Sequence, residues 1–162
     1  MQRIDRSRLA VCWASYDQHA RLLEEYRHRQ RKMPLAVVVG CDPAFQLAAA
    51  APTPADTDVC ALAGFLRQKP IDSVACRGVD LEVPAEAEIV IEGFADPAEP
   101  PVAVGPTLAP LGHLTRPRSA AAMHVAAVTH RANPIFAAYI PGRPPHEICT
   151  VARAMHRVFL PL

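Results

Sequence analysis

Seventeen prolines punctuate this chain, and they cluster at 52–54, 97–110 and 141–145. Proline fixes φ, removes a backbone donor and breaks the interior of a helix or a central strand. The apolar runs left between the clusters are short. That pattern predicts short strands joined by rigid turns, not a bundle of long helices.

The chain has 162 residues, enough for one domain with a substantial core, and is read as a single domain spanning 1–162. Half of it is apolar and the charges nearly cancel, at a net +1, so it is globular rather than disordered. A balance that close supplies no field for nucleic acid or a membrane surface. The start, MQRIDRSRLAVCW, is charged and lacks the apolar core of a signal peptide. No apolar run approaches the length of about 18 residues that a spanning helix needs. Five cysteines, at 12, 41, 60, 76 and 149, form no C-x-x-C pair. They read as reduced thiols in a cytoplasmic protein.

Residues 17–32, DQHARLLEEYRHRQRK, predict a helix with Asp17 at its N-cap and Leu22, Leu23 and Tyr26 as its apolar stripe. Glu24 and Glu25 interrupt its basic run, which therefore reads as a solvated face rather than a nucleic-acid patch. LAVVVG, ahead of Cys41, predicts a buried strand. Asp42-Pro43 then opens a helix over AFQLAAAA, and Asp58 caps another over VCALAGFLRQ. Beyond Pro70 the period changes. VACRGVDLEVP and AEIVIEG predict strands, and AAMHVAAVTHR and PIFAAYIPG predict a further pair turned at Arg131-Ala132-Asn133-Pro134. From Pro144 the pattern is again helical.

No G-x-S-x-G, P-loop, H-E-x-x-H or G-x-G-x-x-G motif occurs. Two residues carry proton-transfer chemistry as weak candidates. His113 stands in a Gly/Pro/Leu loop, where a histidine is usually polar surface. Glu147 follows His146 after a Gly-Arg-Pro-Pro turn, where an early helical carboxylate also serves the helix dipole. His124 and His130 are six apart, a spacing that puts them on one face of a regular strand.

Several phrases carry a resemblance. DLEVPAEAEIVIEGFADP (80–97), VTHRANPIFAAYIPGRPPHE (128–147) and PLAVVVGCDP (34–43) resemble the UbiD-type decarboxylases, which use a prenylated flavin. The likeness covers nearly the whole chain and corresponds to that family's central flavin-binding domain. It implies an α+β fold, a split β-barrel with flanking helices. Trp13-Ala14-Ser15 resembles the family's Trp-x-Ser stretch near the cofactor, and Gln18-His19 resembles its Gln-His pair. Trp13, Gln18 and His19 are therefore the expected cofactor-binding residues.

The same resemblance exposes what is missing. The family carries its catalytic carboxylates in a Glu-Gly-Pro-x-Gly-Glu/Asp pattern, and this chain reads Val104-Gly105-Pro106-Thr107-Leu108-Ala109. PTPADTDVCALAGFLRQKP resembles a segment in which a Glu ligates metal, and that position is Val59. The family's Asn/Arg segment lies before this chain's start, and relatives continue past its apolar end, Val158 to Leu162. No acidic residue lies between Glu99 and Glu147. The expected protein is thus a truncated relative: an accessory flavin-binding subunit without its own decarboxylase activity and without a bound metal. It would self-associate or pair with a larger UbiD-type chain. Two alternatives stay open at this point, an active carboxy-lyase helped by a partner and a plain FMN-binding or flavin-reductase-like module.

Overall fold

The computed structural model describes residues 1–13, 18–51, 53–54, 57–107, 114–136, 138, 149–151, 153–154 and 157. In chain order the elements are β1 (Gln2–Arg3), β2 (Arg8–Val11), α1 (Gln18–His28), β3 (Met33–Val39), α2 (Pro43–Ala50) and α3 (Val59–Arg67). Then come β4 (Ser73–Ala75), β5 (Glu82–Pro84), β6 (Ile89–Ala95), β7 (Val102–Val104) and β8 (Arg118–His130). The main sheet is antiparallel and runs β1-β2-β8-β6-β3, with β7 pairing β8 off that path, while β4 and β5 form a separate two-stranded ribbon. This is an α+β architecture. The outer strands β1 and β3 do not pair with each other, and no closed barrel forms among the described residues.

The helix starts are set locally, as the sequence predicts. The Asp42 carboxylate accepts from the Ala44 N–H at 2.7 Å, with Pro43 in the first turn. Asp58 accepts from Cys60 and Ala61 at 2.8 and 3.1 Å. Each satisfies donors that the first turn leaves free. α1 ends at His28, four residues before the expected stop. Gln30 takes a left-handed conformation (φ 52) and Arg31 donates to the Tyr26 carbonyl, so the helix closes on itself. Lys32 is thereby freed to reach the sheet. The expected cap Asp17 and the residues on either side of Pro144 lie outside the described residues.

Two apolar layers hold the main sheet. On one face Val11, Met33, Leu35, Ala95 and Met123 are buried beneath Trp13, Leu23 and Tyr26. Burying a side chain the size of Met123 stabilises the fold by about 1.5–3 kcal/mol. On the other face Ala10, Val104 and Ala120 pack with Ile4, Cys12 and Val102. Leu22 of the expected helical stripe is exposed. β3 is an edge strand: Met33 and Leu35 are buried, but Ala36 to Val39 are only half-buried.

β8 departs from regular alternation. Glu92 pairs with Ala127 while the next residue, Gly93, pairs with Val125, so Ala126 is an extra residue, a β-bulge. A Cβ at Gly93 would drive into the His124 carbonyl oxygen, and only glycine fits there. The bulge also corrects the expectation for the two histidines. His124 pairs with Phe94 and His130 with Ile89, residues of opposite parity on β6. The two rings therefore project from opposite faces, because the bulge adds one residue to an even spacing.

The stretch 74–84 is not one strand but a hairpin. Cys76 donates to the Leu81 carbonyl at 2.8 Å, and the Arg77 and Gly78 N–H groups turn to the Glu92 carboxylate at 2.7 and 2.5 Å. Glu92 is 1% exposed. Its carboxylate ties the small ribbon to the main sheet and meets two of the demands of a buried charge. Of the strand expected after Arg131, PIFAAYIPG, residues 137 and 139–142 lie outside the described residues, and the described ones, 134–136 and 138, are in no strand; β8 pairs with β2, β6 and β7. Instead Arg131 and Ile135 both bind Glu88: the Arg131 Nη1 donates at 3.0 Å and the Ile135 N–H at 3.0 Å.

Candidate functional site

Trp13 follows β2 by two residues, and Gln18 and His19 begin α1. Trp13 and His19 lie face to face, with ring centroids 6.0 Å apart and planes 8° from parallel. Trp13 and Gln18 are half-buried and His19 is exposed. A centroid distance of about 4.5–7 Å is already that of a contacting aromatic pair. A flat heteroaromatic ligand would thus stack on an outer face of the pair, not between its rings. Ala14 and Ser15, the rest of the expected stretch, lie outside the described residues, as do His113, Ala109 and Glu147.

Trp13 also walls a cleft of about 200 Å³ between α1 and the strands β2 and β8. Its apolar surface comes from Val11, Leu23, Pro101 and the run Ala120 to Ala122. Its charged lining is Glu24, Arg27, Asp96 and Glu99. The segment 96–101 crosses this cleft as a strap. Asp96 folds it by accepting from the Ala98 N–H at 2.9 Å, and the Glu99 N–H donates to the Asp96 carbonyl at 3.1 Å. Two side chains then fasten it: the Arg27 Nε donates to the Pro97 carbonyl at 3.1 Å, and His124 Nε2 lies 2.7 Å from Glu99 Oε1.

His124 is itself oriented by packing. Its ring stacks on Phe94 at 5.1 Å, and the Lys32 ammonium sits 4.4 Å from the centre of the Phe94 ring. A cation over an aromatic face gains about 0.5–1 kcal/mol at an exposed site. Glu99 belongs to no motif in the sequence, and spacing relates His124 only to His130. Nothing in local pattern reveals their meeting, since they are 25 residues apart and joined only because the strap doubles back.

The positions tied to catalysis by resemblance are hydrocarbon. Val104 is 6% exposed and packs against Ala10 and Ala120. Gly105 follows at φ +100, and Thr107 and Thr115 close the next loop through their hydroxyls at 2.9 Å. Val59 opens α3, half-buried, and the neighbouring Asp58 carboxylate is spent on the helix cap. No group of three or more His, Cys, Asp or Glu side chains with metal-binding geometry forms among the described residues. Cys41, Cys60 and Cys76 are unpaired, and burial pushes each thiol up from its usual range, away from the reactive thiolate. No helix of the described residues is long and apolar enough to cross a membrane.

Comparison with known proteins places this geometry in context. Residues 1–144 match the family model described as UbiD, 3-octaprenyl-4-hydroxybenzoate carboxy-lyase Rift-related domain. An uncharacterized protein of Aquifex aeolicus is 36% identical over 162 residues, all of this chain and 33% of that protein. One of Archaeoglobus fulgidus is 40% identical over 131 residues, 81% of this chain and 27% of that protein. The chain therefore spans about a third of the length of these relatives. Among solved structures, an evolved dimeric form of the UbiD-class enzyme HmfF from Pelotomaculum thermopropionicum, in complex with prFMN, superposes with a TM-score of 0.76 at 30% identity. That match covers 82% of this chain and 31% of HmfF. The closed form of Sedimentibacter hydroxybenzoicus vanillic acid decarboxylase (ShVdcCD) gives 0.82 at 28% identity, over 88% of this chain and 30% of that one.

Proposed function

This chain belongs to the UbiD family, and from that premise we propose that it is an accessory flavin-binding domain with no decarboxylase activity of its own. The carrying observation is Val104. It stands where the family resemblance calls for the first catalytic carboxylate, and its side chain is buried among Ala10 and Ala120. Decarboxylation ends with protonation of the product carbon, which needs a positioned acid. Neither Val104 nor Val59 can supply one.

The proposed flavin site is the Trp13–His19 pair with Gln18 beside it. An exposed imidazole stacked on a half-buried indole offers a flat platform to an isoalloxazine ring. The structure of HmfF with prFMN supports prenylated FMN or FMN as the cofactor class. The antiparallel sheet with its unpaired ends, β1 and β3, is proposed to be the frame of a split barrel. A second copy or a larger UbiD-type chain is the proposed partner. Exposed Val128, Ile135 and Phe136, at 56%, 72% and 68%, support such a contact.

The test is to load the purified protein with FMN or prenylated FMN, read the flavin absorbance, and assay a panel of aromatic and α,β-unsaturated acids. Flavin retention without turnover is expected. Turnover by this chain alone sinks the accessory reading, and failure to retain either flavin sinks the cofactor assignment.

A further inference from the structure

We infer that the cleft beneath the strap is a second binding site, for a small planar organic cation such as an aromatic amine or amidine. The cleft adjoins the proposed flavin platform and shares Trp13 with it, but neither Gln18 nor His19 lines it. Three features select the ligand class. First, the floor of Val11, Leu23 and Ala120 to Ala122 is apolar and made mostly of small side chains. At about 200 Å³ it lies below the roughly 300–1,000 Å³ of sites for drug-sized molecules, so it admits a single ring. Second, the Trp13 ring forms a wall, and the face of an indole attracts both flat rings and cations.

Third, the charged lining is unbalanced. Glu24, Asp96 and Glu99 give three carboxylates against the single guanidinium of Arg27. Arg27 is already engaged, since Nη1 holds both Glu24 oxygens at 2.7 and 3.0 Å and Nε holds the Pro97 carbonyl. The remaining carboxylates, Asp96 and Glu99, both belong to the strap side of the lining. Asp96 Oδ1 accepts from the Ala98 N–H and Glu99 Oε1 meets His124 Nε2, so the second oxygen of each is the acceptor offered to a cation. A cationic head turned toward the strap is attracted, and a carboxylate or phosphate in the same place is repelled. The strap is built to hold this arrangement, because Arg27 and His124 fasten it from two different elements.

Trp13 is the only tryptophan in the sequence, so its emission reports on this cleft directly. The experiment titrates the full chain with benzamidinium and, separately, with benzoate, a ligand of like shape and opposite charge. Benzamidinium should give a saturable change in Trp13 emission, with benzoate weaker by about tenfold or more. Two folded variants, checked by circular dichroism, refine the result. Asp96→Asn with Glu99→Gln keeps the acceptors but removes the charge, and should erase the preference. Ala20→Phe fills the half-buried α1 side of the cleft and should abolish the response. Equal or tighter binding of benzoate, no saturable response to benzamidinium, or displacement of benzamidinium by FMN would each overturn the inference. The comparison of the two probes on the unaltered protein decides the matter even if both variants fail to fold.

Discussion

His124 and Glu99 meet at 2.7 Å across the strap, a contact that joins the longest strand of the sheet to a proline-rich segment 25 residues earlier. Both side chains are about a third exposed, at 29% and 36%. Solvent therefore screens the pair, and its net worth is small. A double-mutant cycle with His124→Ala and Glu99→Ala should give a coupling of about 0.5–1 kcal/mol in urea unfolding. A coupling indistinguishable from zero would mean that the strap is held by Arg27 and its own turn.

Glu92 is a different case, because its carboxylate is buried and accepts from two backbone N–H groups of the β4–β5 loop. Truncation removes the shared acceptor of both N–H groups and empties the buried space that the Glu92 side chain fills, although Arg77 and Gly78 are themselves exposed. Glu92→Ala should destabilise the fold by about 2–4 kcal/mol, and Glu92→Gln by less, since an amide oxygen still accepts. The measurement is the shift in urea midpoint at constant slope. A shift within about 0.5 kcal/mol for the alanine variant would contradict the structural role.

Acidification should weaken the fold partly through Glu88. The Ile135 N–H, and then the Arg131 guanidinium, hold its carboxyl below the ordinary value of 4.5. A depressed folded pKa stabilises the native state above the unfolded value, and the contribution fades as pH falls through the folded value. Stability of the unaltered protein should therefore drop on acidification from just above 4.5 downward, and Glu88→Gln should remove that part of the dependence. Parallel stability-versus-pH curves for the two proteins would refute the assignment.

Flavin binding, if it follows the proposed platform, should depend on Trp13 more than on His19. Trp13→Ala removes the half-buried ring that anchors the pair, whereas His19→Ala removes its exposed partner. The loss expected for the indole is about 1 kcal/mol or more, near tenfold in Kd, with a smaller loss for the imidazole. Mn²⁺ or EDTA should change the FMN affinity hardly at all, because the position of the family's ligand Glu is Val59. Strong metal dependence in a fluorescence titration would show that other residues complete a metal site.

Local chemistry was legible in the sequence. Asp42-Pro43 and Asp58 start helices because each carboxylate needs only donors two or three residues away. The strand runs at 35–39 and 89–93 follow from β-branched, apolar composition, and the family was legible from phrases that keep their order along the chain. The valines at 59 and 104 likewise ruled on the acid chemistry without coordinates, since no fold turns a hydrocarbon into a proton donor.

What tertiary structure alone decided is everything that depends on distant partners. The extra residue at Ala126 moves His130 to the face opposite His124, because Gly93 lets two backbones approach too closely for any side chain. The turn at Arg77-Gly78 forms where Glu92 waits to receive its N–H groups. Glu99 becomes a cleft residue only when the strap is pinned by Arg27 from a helix and His124 from a strand. Caps and strand composition act over a few residues, whereas a bulge, a buried carboxylate and a strapped cleft arise from register between segments far apart in the chain, which no local pattern encodes.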